Sequence, residues 1–201
     1  MTPPPAIRIA VMGAHSTGKT TLLHRIEQQL HDRGIPVQRS RHLARRAANV
    51  PLPKMQHQTV ASTQWAIATG IADEVAAAAQ LGDGGRGVVL VSQACWQALA
   101  YFRAAQEWNN RTIPRTDREA LHRLASAHTP YDLLLATHLD PGIPVKLNHD
   151  HNPRFRTMVD RHIHALLAEE GLPHVHVTSD RTSRELAIER ALQLCPTQAP
   201  V

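Results

Sequence analysis

Residues 13–20 combine the groups that chemistry on phosphate esters requires. They read Gly-Ala-His-Ser-Thr-Gly-Lys-Thr and fit the pattern G-x-x-x-x-G-K-[ST] of a phosphate-binding loop, or P-loop. Gly13 and Gly18 let the backbone fold tightly around an anion, so that successive N–H groups point inward. Lys19 then reaches the β- and γ-phosphates, and the hydroxyl of Thr20 contacts Mg²⁺. The octapeptide therefore predicts a site for a nucleoside triphosphate such as ATP.

The sequence on both sides of the loop supports this interpretation over a chance glycine-rich turn. A short apolar run of strand type, Ile7–Met12, precedes it, and residues 21–30 follow with apolar side chains at helical spacing. A helix that begins at Gly18 points its positive dipole end at the phosphates. The residues predicted to contact the nucleotide here are Gly13, His15, Ser16, Thr17, Gly18, Lys19, Thr20 and Thr21.

Charged residues after the next-to-last predicted strand are candidates for catalysis. Phosphoryl transfer needs cations around the migrating group and exclusion of water, which a lid at about 139–154 would supply. With Lys19, we take Arg154 and Asp150 as the catalytic residues, and Arg156 and Arg161 as further candidates. The alternative is a solvated basic helix face.

A second charged segment opens the last predicted helix. Residues 179–184 read Ser-Asp-Arg-Thr-Ser-Arg, and Ser179 or Asp180 is suited to cap that helix. An arginine in this segment of a P-loop kinase passes near adenine, on which a guanidinium can stack. Arg184 is accordingly predicted to contact the nucleotide.

The loop, extended by Thr21 and Leu22, resembles that of the AAA-type ATPase/kinase family that includes the nicotinamide riboside kinase domain of NadR-type proteins. Residues 92–101, Ser-Gln-Ala-Cys-Trp-Gln-Ala-Leu-Ala-Tyr, stand where that family has an Asp-Arg-Ser-x-x-Asp-x-x-Ala-Tyr-like segment. The resemblance implies an ATP- and Mg²⁺-dependent kinase similar to nucleoside and thymidylate kinases. It also implies acceptor contacts from Arg45, Ser92 and Tyr101, and a metal contact from Ser92 beside that of Thr20.

The chain departs from that family at its acidic positions. Ser92 and Gln97 stand where the family has acids, Gln93 replaces its arginine, and His42 replaces the glutamate three residues before Arg45. The acid after the third strand usually holds Mg²⁺ through water or takes the acceptor's proton. The candidate acids that could replace it are Asp73, Glu74, Asp83 and Asp150.

Three functions therefore stay open at this point. The first is a kinase that phosphorylates a hydroxyl of a small molecule, either nucleoside-like or a related metabolite. The second is an ATP-binding regulatory protein or degenerate kinase with little transfer activity, which the lost acids favour. The third is a polynucleotide-end kinase, which only the positive charge supports and which salt-dependent binding to oligonucleotides would distinguish.

Strands that alternate with helices must position these residues. Strands are predicted at 6–12, 37–39, 88–91, 131–136 and 174–177. Helices are predicted at 18–33, 41–48, 58–80, 94–108, 117–127, 154–169 and 181–194. This order predicts an α/β fold, a doubly wound parallel β-sheet flanked by helices with its ligand at the carboxyl ends of the strands. The family resemblance implies that this fold is of the P-loop NTPase/nucleoside-kinase type.

Length and composition favour one cytoplasmic domain over residues 1–201, with flexible tails at 1–5 and 195–201. The net charge of +5 suits an anionic ligand, but nucleic acid is not the expected partner. No apolar run approaches a membrane span, and Cys95 and Cys195 are expected to be free thiols. The oligomeric state stays open, with a homodimer as one possibility.

The 14 histidines show no recognised metal-binding spacing. His174 and His176 are predicted on one face of a strand, whereas His162 and His164 point different ways on a helix. We therefore expect no metal site from the histidines, and a phosphate or substrate contact from His15.

Overall fold

The computed structural model describes residues 6–40, 43–82, 87–128, 130–142 and 152–195. Five parallel strands form one sheet in the order β2-β3-β1-β4-β5. They are β1 Ile7–Gly13, β2 Val37–Arg39, β3 Val88–Val91, β4 Leu133–Thr137 and β5 Val175–Val177. Because β1 pairs with β3 on one side and β4 on the other, the loop that follows β1 opens at the middle of the sheet's carboxyl edge.

Seven helices connect and flank these strands in the described part of the chain. They are α1 Lys19–Asp32, α2 Leu43–Ala48, α3 Val60–Gln80, α4 Cys95–Trp108, α5 Arg115–Ser126, α6 Pro153–Glu169 and α7 Arg181–Gln193, with a 3₁₀ helix at Met55–His57. The alternation of parallel strands and helices confirms the predicted α/β fold class. None of these helices combines the length and hydropathy that a bilayer crossing requires.

The sheet separates two apolar cores, and β1 contributes to both because alternate side chains of a strand face opposite sides. Ala10 and Met12 pack with α3, α4, α5 and α6 on one face. Ile9 and Val11 pack with α1 and α7 on the other. All four side chains are fully buried, as expected for the central strand of a parallel sheet covered on both faces.

Local signals fix the helix boundaries. The hydroxyl of Thr59 accepts a hydrogen bond from the backbone N–H of Ser62, and Ser62 Oγ accepts from the N–H of Thr59, so this capping box starts α3. Asn152 caps α6, which has Pro153 in its first turn, and Asp180 caps α7. Cys195, which the sequence places in a flexible tail, is buried in the core beside α7.

Candidate active site

The loop between β1 and α1 has the backbone shape that its glycines predict. Gly18 lies in the left-handed region, with φ at +85°, and directly precedes α1. A Cβ atom on Gly18 would lie 2.6 Å from the guanidinium of Arg184, and one on Gly13 would lie 1.9 Å from Oγ1 of Thr137. Gly13 is therefore required by the close approach of Thr137, whereas Gly18 is required by its positive φ, since the end of the Arg184 side chain can move.

Lys19 lies at the mouth of the loop. Its Nζ donates to the backbone carbonyls of Gly13, at 2.9 Å, and Ala14, at 2.6 Å. Burial and, to a lesser extent, the positive charge of Arg156 lower the pKa of Lys19 to about 8, and the carboxylate of Asp160 opposes both effects. The ammonium is thus held in a site with excess positive charge, which suits an incoming polyanion.

Two arginines from the last third of the chain hold the outer side of the loop. Arg156 on α6 donates from Nε to the carbonyl of His15, at 3.0 Å, and from Nη2 to that of Ser16, at 3.2 Å. Arg184 on α7 donates from Nη2 to the carbonyl of Thr17, at 3.1 Å. Since each guanidinium has further N–H donors, these residues can hold the loop and still face an anion.

A small pocket of about 130 Å³ lies between these two arginines and the loop, and we call it the arginine pocket. Ser16, Thr17 and Gly18 line one side, and His138, Asp140 and Ser179 line the other with the arginines. The hydroxyl of Ser179 donates to Asp140, and this bond lowers the pKa of the Asp140 carboxyl. The arginine pocket adjoins the N-terminus of α1, where phosphates bind.

Buried hydrogen bonds from β4 and α4 hold the loop in place. Thr17 Oγ1 lies 2.6 Å from Thr137 Oγ1, and the Thr137 hydroxyl also lies 3.2 Å from the carbonyl oxygen of Met12. The side-chain oxygen of Gln97, on α4, accepts from the backbone N–H of Gly13 at 3.1 Å. These contacts fix the start of the loop against β4 and α4, so that its N–H groups are held in place before a ligand arrives.

A second cavity, of about 350 Å³, adjoins the loop on the side of α3 and α4, and we call it the P-loop cavity. Lys19 and Thr20 line it where it meets the loop, and Met55, Trp65 and Tyr101 supply much of its apolar wall. Its size and its mainly apolar lining with a few polar groups are typical of a small-molecule site. A larger cavity, of about 610 Å³ between α4 and α5, contains no residue of the loop.

The P-loop cavity brings together several residues that the sequence assigns to the acceptor and the metal. Ser92 and Tyr101 line it, as does His15, whose Nδ1 lies 3.5 Å from the Tyr101 hydroxyl. Thr20 and Ser92 share the cavity, so both predicted metal contacts face the same space. None of the described residues that line it is Asp or Glu, so the protein offers Mg²⁺ hydroxyl oxygens and no carboxylate there.

Other predicted site residues lie elsewhere. Arg154 is exposed on the first turn of α6, and Arg161 pairs with Glu107 on the protein surface. Thr21 is exposed on α1. Asp150 lies outside the described residues, as does most of the predicted lid, and for Arg45 the structure describes only the helical backbone of α2.

Two of the acids suggested as substitutes, Asp73 and Glu74, lie in the described part of the chain, and both form structural pairs. Asp73 pairs with Arg46. Glu74 is only 1% exposed, and its carboxylate accepts from the Tyr131 hydroxyl at 3.1 Å and lies 2.7 Å from Nε2 of His128. Neither acid lines the P-loop cavity, and Asp83 lies outside the described residues.

Sequence reasoning missed three residues that support the site. The sequence marks Gln97 only as a lost acid, and Thr137 lies one residue beyond the predicted strand. Asp160, on α6, accepts from the backbone N–H of Leu139 at 3.1 Å and lies close enough to Lys19 and Arg156 to affect their pKa values. Burial raises the pKa of Asp160 itself. No local pattern marks any of these residues, because each also has a partner in another element of the fold.

Comparison with known proteins agrees with this geometry. A protein family described as "AAA domain" matches residues 8–184. A search of the curated proteins found no match. Among solved structures, a NadR protein in complex with NAD and AMP-PNP superposes with a TM-score of 0.65 at 18% identity, over 98% of this chain and 51% of that one. The chain thus spans about half the length of the NadR structure.

Two nucleoside and nucleotide kinases show the same fold over their full lengths. Thymidylate kinase from Ehrlichia chaffeensis has a TM-score of 0.60 at 16% identity, over 96% of this chain and 100% of that one. Deoxyadenosine kinase from M. mycoides has a TM-score of 0.60 at 10% identity, over 94% of this chain and 100% of that one. At these identities the similarity establishes the fold, which is that of P-loop NTPases and nucleoside kinases.

Proposed function

The chain belongs to the AAA domain family, and from that premise we propose that it binds ATP with Mg²⁺ and transfers the γ-phosphoryl group to a hydroxyl of a small molecule. In this reaction a bond forms between the acceptor oxygen and the γ-phosphorus. The bond from that phosphorus to the oxygen bridging the β- and γ-phosphates breaks, ADP leaves, and the hydroxyl proton is released to solvent.

The proposal rests on one observation: residues of the P-loop also line the P-loop cavity. Lys19 and Thr20 belong to the phosphate site and also line the cavity. An acceptor in the cavity would therefore have its hydroxyl beside the terminal phosphate, and phosphoryl transfer depends mainly on such positioning and on charge stabilisation.

The fixed charges have separate roles in this proposal. Lys19 binds the β- and γ-phosphates, Arg156 and Arg184 keep the loop in its binding shape and offer further donors, and the hydroxyls of Thr20 and Ser92 are available to Mg²⁺. The ion would supply charge neutralisation on the triphosphate when bound. Because no carboxylate faces the cavity in the described residues, the triphosphate itself provides most of the anionic ligands for Mg²⁺.

A nucleoside-like acceptor suits the lining of the cavity. Trp65 and Tyr101 offer aromatic surface to a flat ring, while Gln58, Gln93 and Ser92 offer polar groups to hydroxyls or amides. The solved structures with this fold include a NadR protein in complex with NR, a deoxyadenosine kinase and a thymidylate kinase. NR and deoxyadenosine, which present hydroxyl groups, are therefore the first acceptors to test, and thymidylate is tested beside them as an acceptor that presents a phosphate oxygen.

A second candidate function is ATP binding with little phosphoryl transfer, as in a regulatory protein. The absence of Asp and Glu from the described lining of the cavity favours it, since neither a carboxylate base nor a carboxylate ligand for Mg²⁺ faces the acceptor there. The loose transition state of phosphoryl transfer makes only a small demand on a base, and this argues for the kinase.

One experiment separates the two functions. ATP with Mg²⁺ is titrated calorimetrically into the full chain, Lys19→Ala and Lys54→Ala, and ADP release is then measured with each acceptor. Lys54 also lines the cavity but lies outside the loop, so its variant controls for the loss of a lysine. The kinase proposal expects binding that only Lys19→Ala abolishes, with turnover on one acceptor. Binding without turnover on a broad acceptor panel, oligonucleotides included, would support the regulatory function.

A further inference from the structure

A cluster of histidines lies beside the phosphate site and takes no part in the proposed phosphoryl transfer. His138 directly follows β4, His164 lies on α6, and His176 lies in β5. One ring nitrogen from each lies within 4.8 Å of the others, although the three residues come from different elements. His174, just before β5, completes the cluster, with its Nε2 at 3.1 Å from Nε2 of His176.

A backbone carbonyl determines which ring nitrogen carries the proton in His174 and, through it, in His176. His174 Nδ1 lies 2.7 Å from the carbonyl of Leu172, which can only accept, so this nitrogen carries the proton. In a neutral ring, Nε2 of His174 is then an acceptor, and it receives the Nε2–H of His176. Nδ1 of His176 therefore presents its lone pair to His138, whose Nε2 donates a hydrogen bond to it over 3.2 Å.

Such a chain of hydrogen bonds is the outer support that metal-binding histidines usually have. A ligating imidazole typically donates its other N–H to an oriented partner, and this fixes which nitrogen faces the metal. His176 has that support from His174, and His174 has it from the backbone. The separation of 3.2 Å between the facing nitrogens of His138 and His176 is close to the roughly 3.3 Å between two nitrogens bound to tetrahedral Zn²⁺ at about 2.05 Å.

His164 provides an independent observation. Both its ring nitrogens are buried and make no hydrogen bond, which is costly for a polar side chain. Its ring stacks on that of His138, with centroids 3.7 Å apart and planes 8° from parallel. Because an ion cannot lie in two parallel ring planes, one ring must rotate to bind it, and His164 can rotate without losing a hydrogen bond.

We propose that His138, His164 and His176 form a binding site for a transition-metal ion of the Zn²⁺ type, with a fourth position open to water or another ligand. Imidazole nitrogen is a preferred ligand of Zn²⁺, Co²⁺, Ni²⁺ and Cu²⁺ and a poor one for Mg²⁺, so the site is chemically distinct from that of the nucleotide. Burial and the neighbouring imidazoles lower the pKa of His164 to about 4, in agreement with a neutral ring that can coordinate.

The test measures metal binding directly, without nucleotide. Full-length protein freed of metal with a chelator is titrated with Zn²⁺ by calorimetry and with Co²⁺ by visible absorption, which reports the coordination geometry. His164→Gln and His176→Gln each remove one proposed ligand, and His31→Gln removes an exposed histidine of α1 as the matched control.

The proposal expects one Zn²⁺ per chain, a tetrahedral Co²⁺ spectrum, and an affinity that falls roughly tenfold or more in both ligand variants but not in His31→Gln. Zn²⁺ should also raise the midpoint of thermal unfolding of the wild type more than that of the ligand variants. His176 is exposed, so its variant tests the site even if His164→Gln does not fold. Equal binding in all four proteins, or no Co²⁺ spectrum in the wild type, would overturn the site in favour of a metal-free chain of hydrogen-bonded imidazoles.

Discussion

The guanidinium of Arg156 donates from Nε to the backbone carbonyl of His15 over 3.0 Å, and α6 thereby holds the middle of the phosphate loop. Arg156 is only 6% exposed, whereas Arg154, two residues earlier on the same helix, faces solvent. The sequence-based hypothesis favours Arg154 as the catalytic cation, and the geometry favours Arg156.

Substitution of each arginine by alanine distinguishes the two hypotheses. A hydrogen bond from a charged group contributes about 1.5–3 kcal/mol, so Arg156→Ala should weaken ATP binding by roughly tenfold or more. Arg154→Ala should leave the affinity within about twofold, as an exposed charge contributes little. Calorimetric titration of ATP with Mg²⁺ measures both. The reverse ranking would restore Arg154 as the residue that contacts the phosphates.

The lowered pKa of Lys19 predicts that nucleotide affinity depends on pH. With a folded-state pKa of about 8, Lys19 is charged at neutral pH and loses its proton as the pH rises through 8. ATP affinity should therefore decrease between about pH 7 and pH 9, with proton uptake on binding at the upper end. Lys19→Arg keeps its charge over this range, so its affinity should stay constant. Calorimetry in buffers of different ionisation enthalpy measures the proton uptake.

The lowered pKa of Lys19 also predicts how the stability of the ligand-free protein changes with pH. The ordinary pKa of lysine, 10.5, exceeds the folded value of about 8, so the unfolded chain binds more protons between these two pH values. The contribution of Lys19 to the free energy of unfolding should therefore rise with pH in this window and stay constant below it. Urea unfolding of the wild type and Lys19→Met, at several pH values, isolates the contribution. Parallel pH profiles would show that the pKa of Lys19 is not lowered.

Gly13→Ala should destabilise the fold, because the new Cβ would lie 1.9 Å from Oγ1 of Thr137. Overpacking of this kind costs about 1–3 kcal/mol. Gly70→Ala, in α3, is the matched control: no atom lies within 4 Å of its added Cβ, and alanine should stabilise the helix by about 0.5–1 kcal/mol. Thermal unfolding measures both, and the double variant Gly13→Ala with Thr137→Ala should recover part of the loss. An unchanged midpoint for Gly13→Ala would refute the close packing.

Glu74→Ala should lower stability without affecting turnover. The change leaves His128 and Tyr131 without their buried partner, which costs about 1–3 kcal/mol. Glu119→Ala is the control, because its ion pair with Arg115 lies on the surface of α5 and contributes about 0.3–0.5 kcal/mol. Urea unfolding and ADP release are measured on the same preparations. A selective loss of turnover per folded molecule would show that Glu74 is the missing acid after all.

The sequence predicted what depends on local pattern. Glycine spacing, the apolar strand before it and the helical period after it lie within residues 7–32, and together they specify the phosphate loop and its place in the sheet. The support of the loop was not predictable in the same way. Gln97 is 84 residues from Gly13, and Thr137 is 120 residues from Thr17. Only the folded topology brings such partners together.

The histidine cluster was even less predictable from local sequence pattern than the support of the loop. The spacing of 138, 164 and 176 matches no ligand pattern, because the three residues come from the end of β4, from α6 and from β5 and meet only in the fold. His174 and His176 were predicted on one strand face, and the structure adds the two partners that neither periodicity nor composition could supply.

The bond from Arg184 to the carbonyl of Thr17 joins residues 167 positions apart, and Arg156 reaches back 141 positions to His15. During synthesis the ribosome therefore releases the phosphate loop long before the two arginines that hold it. Strand β1 is likewise made before both of its neighbours in the sheet. A nascent chain would therefore carry the complete octapeptide before the strands and arginines that hold it, and the loop would gain the support of Arg184 only when α7 emerges.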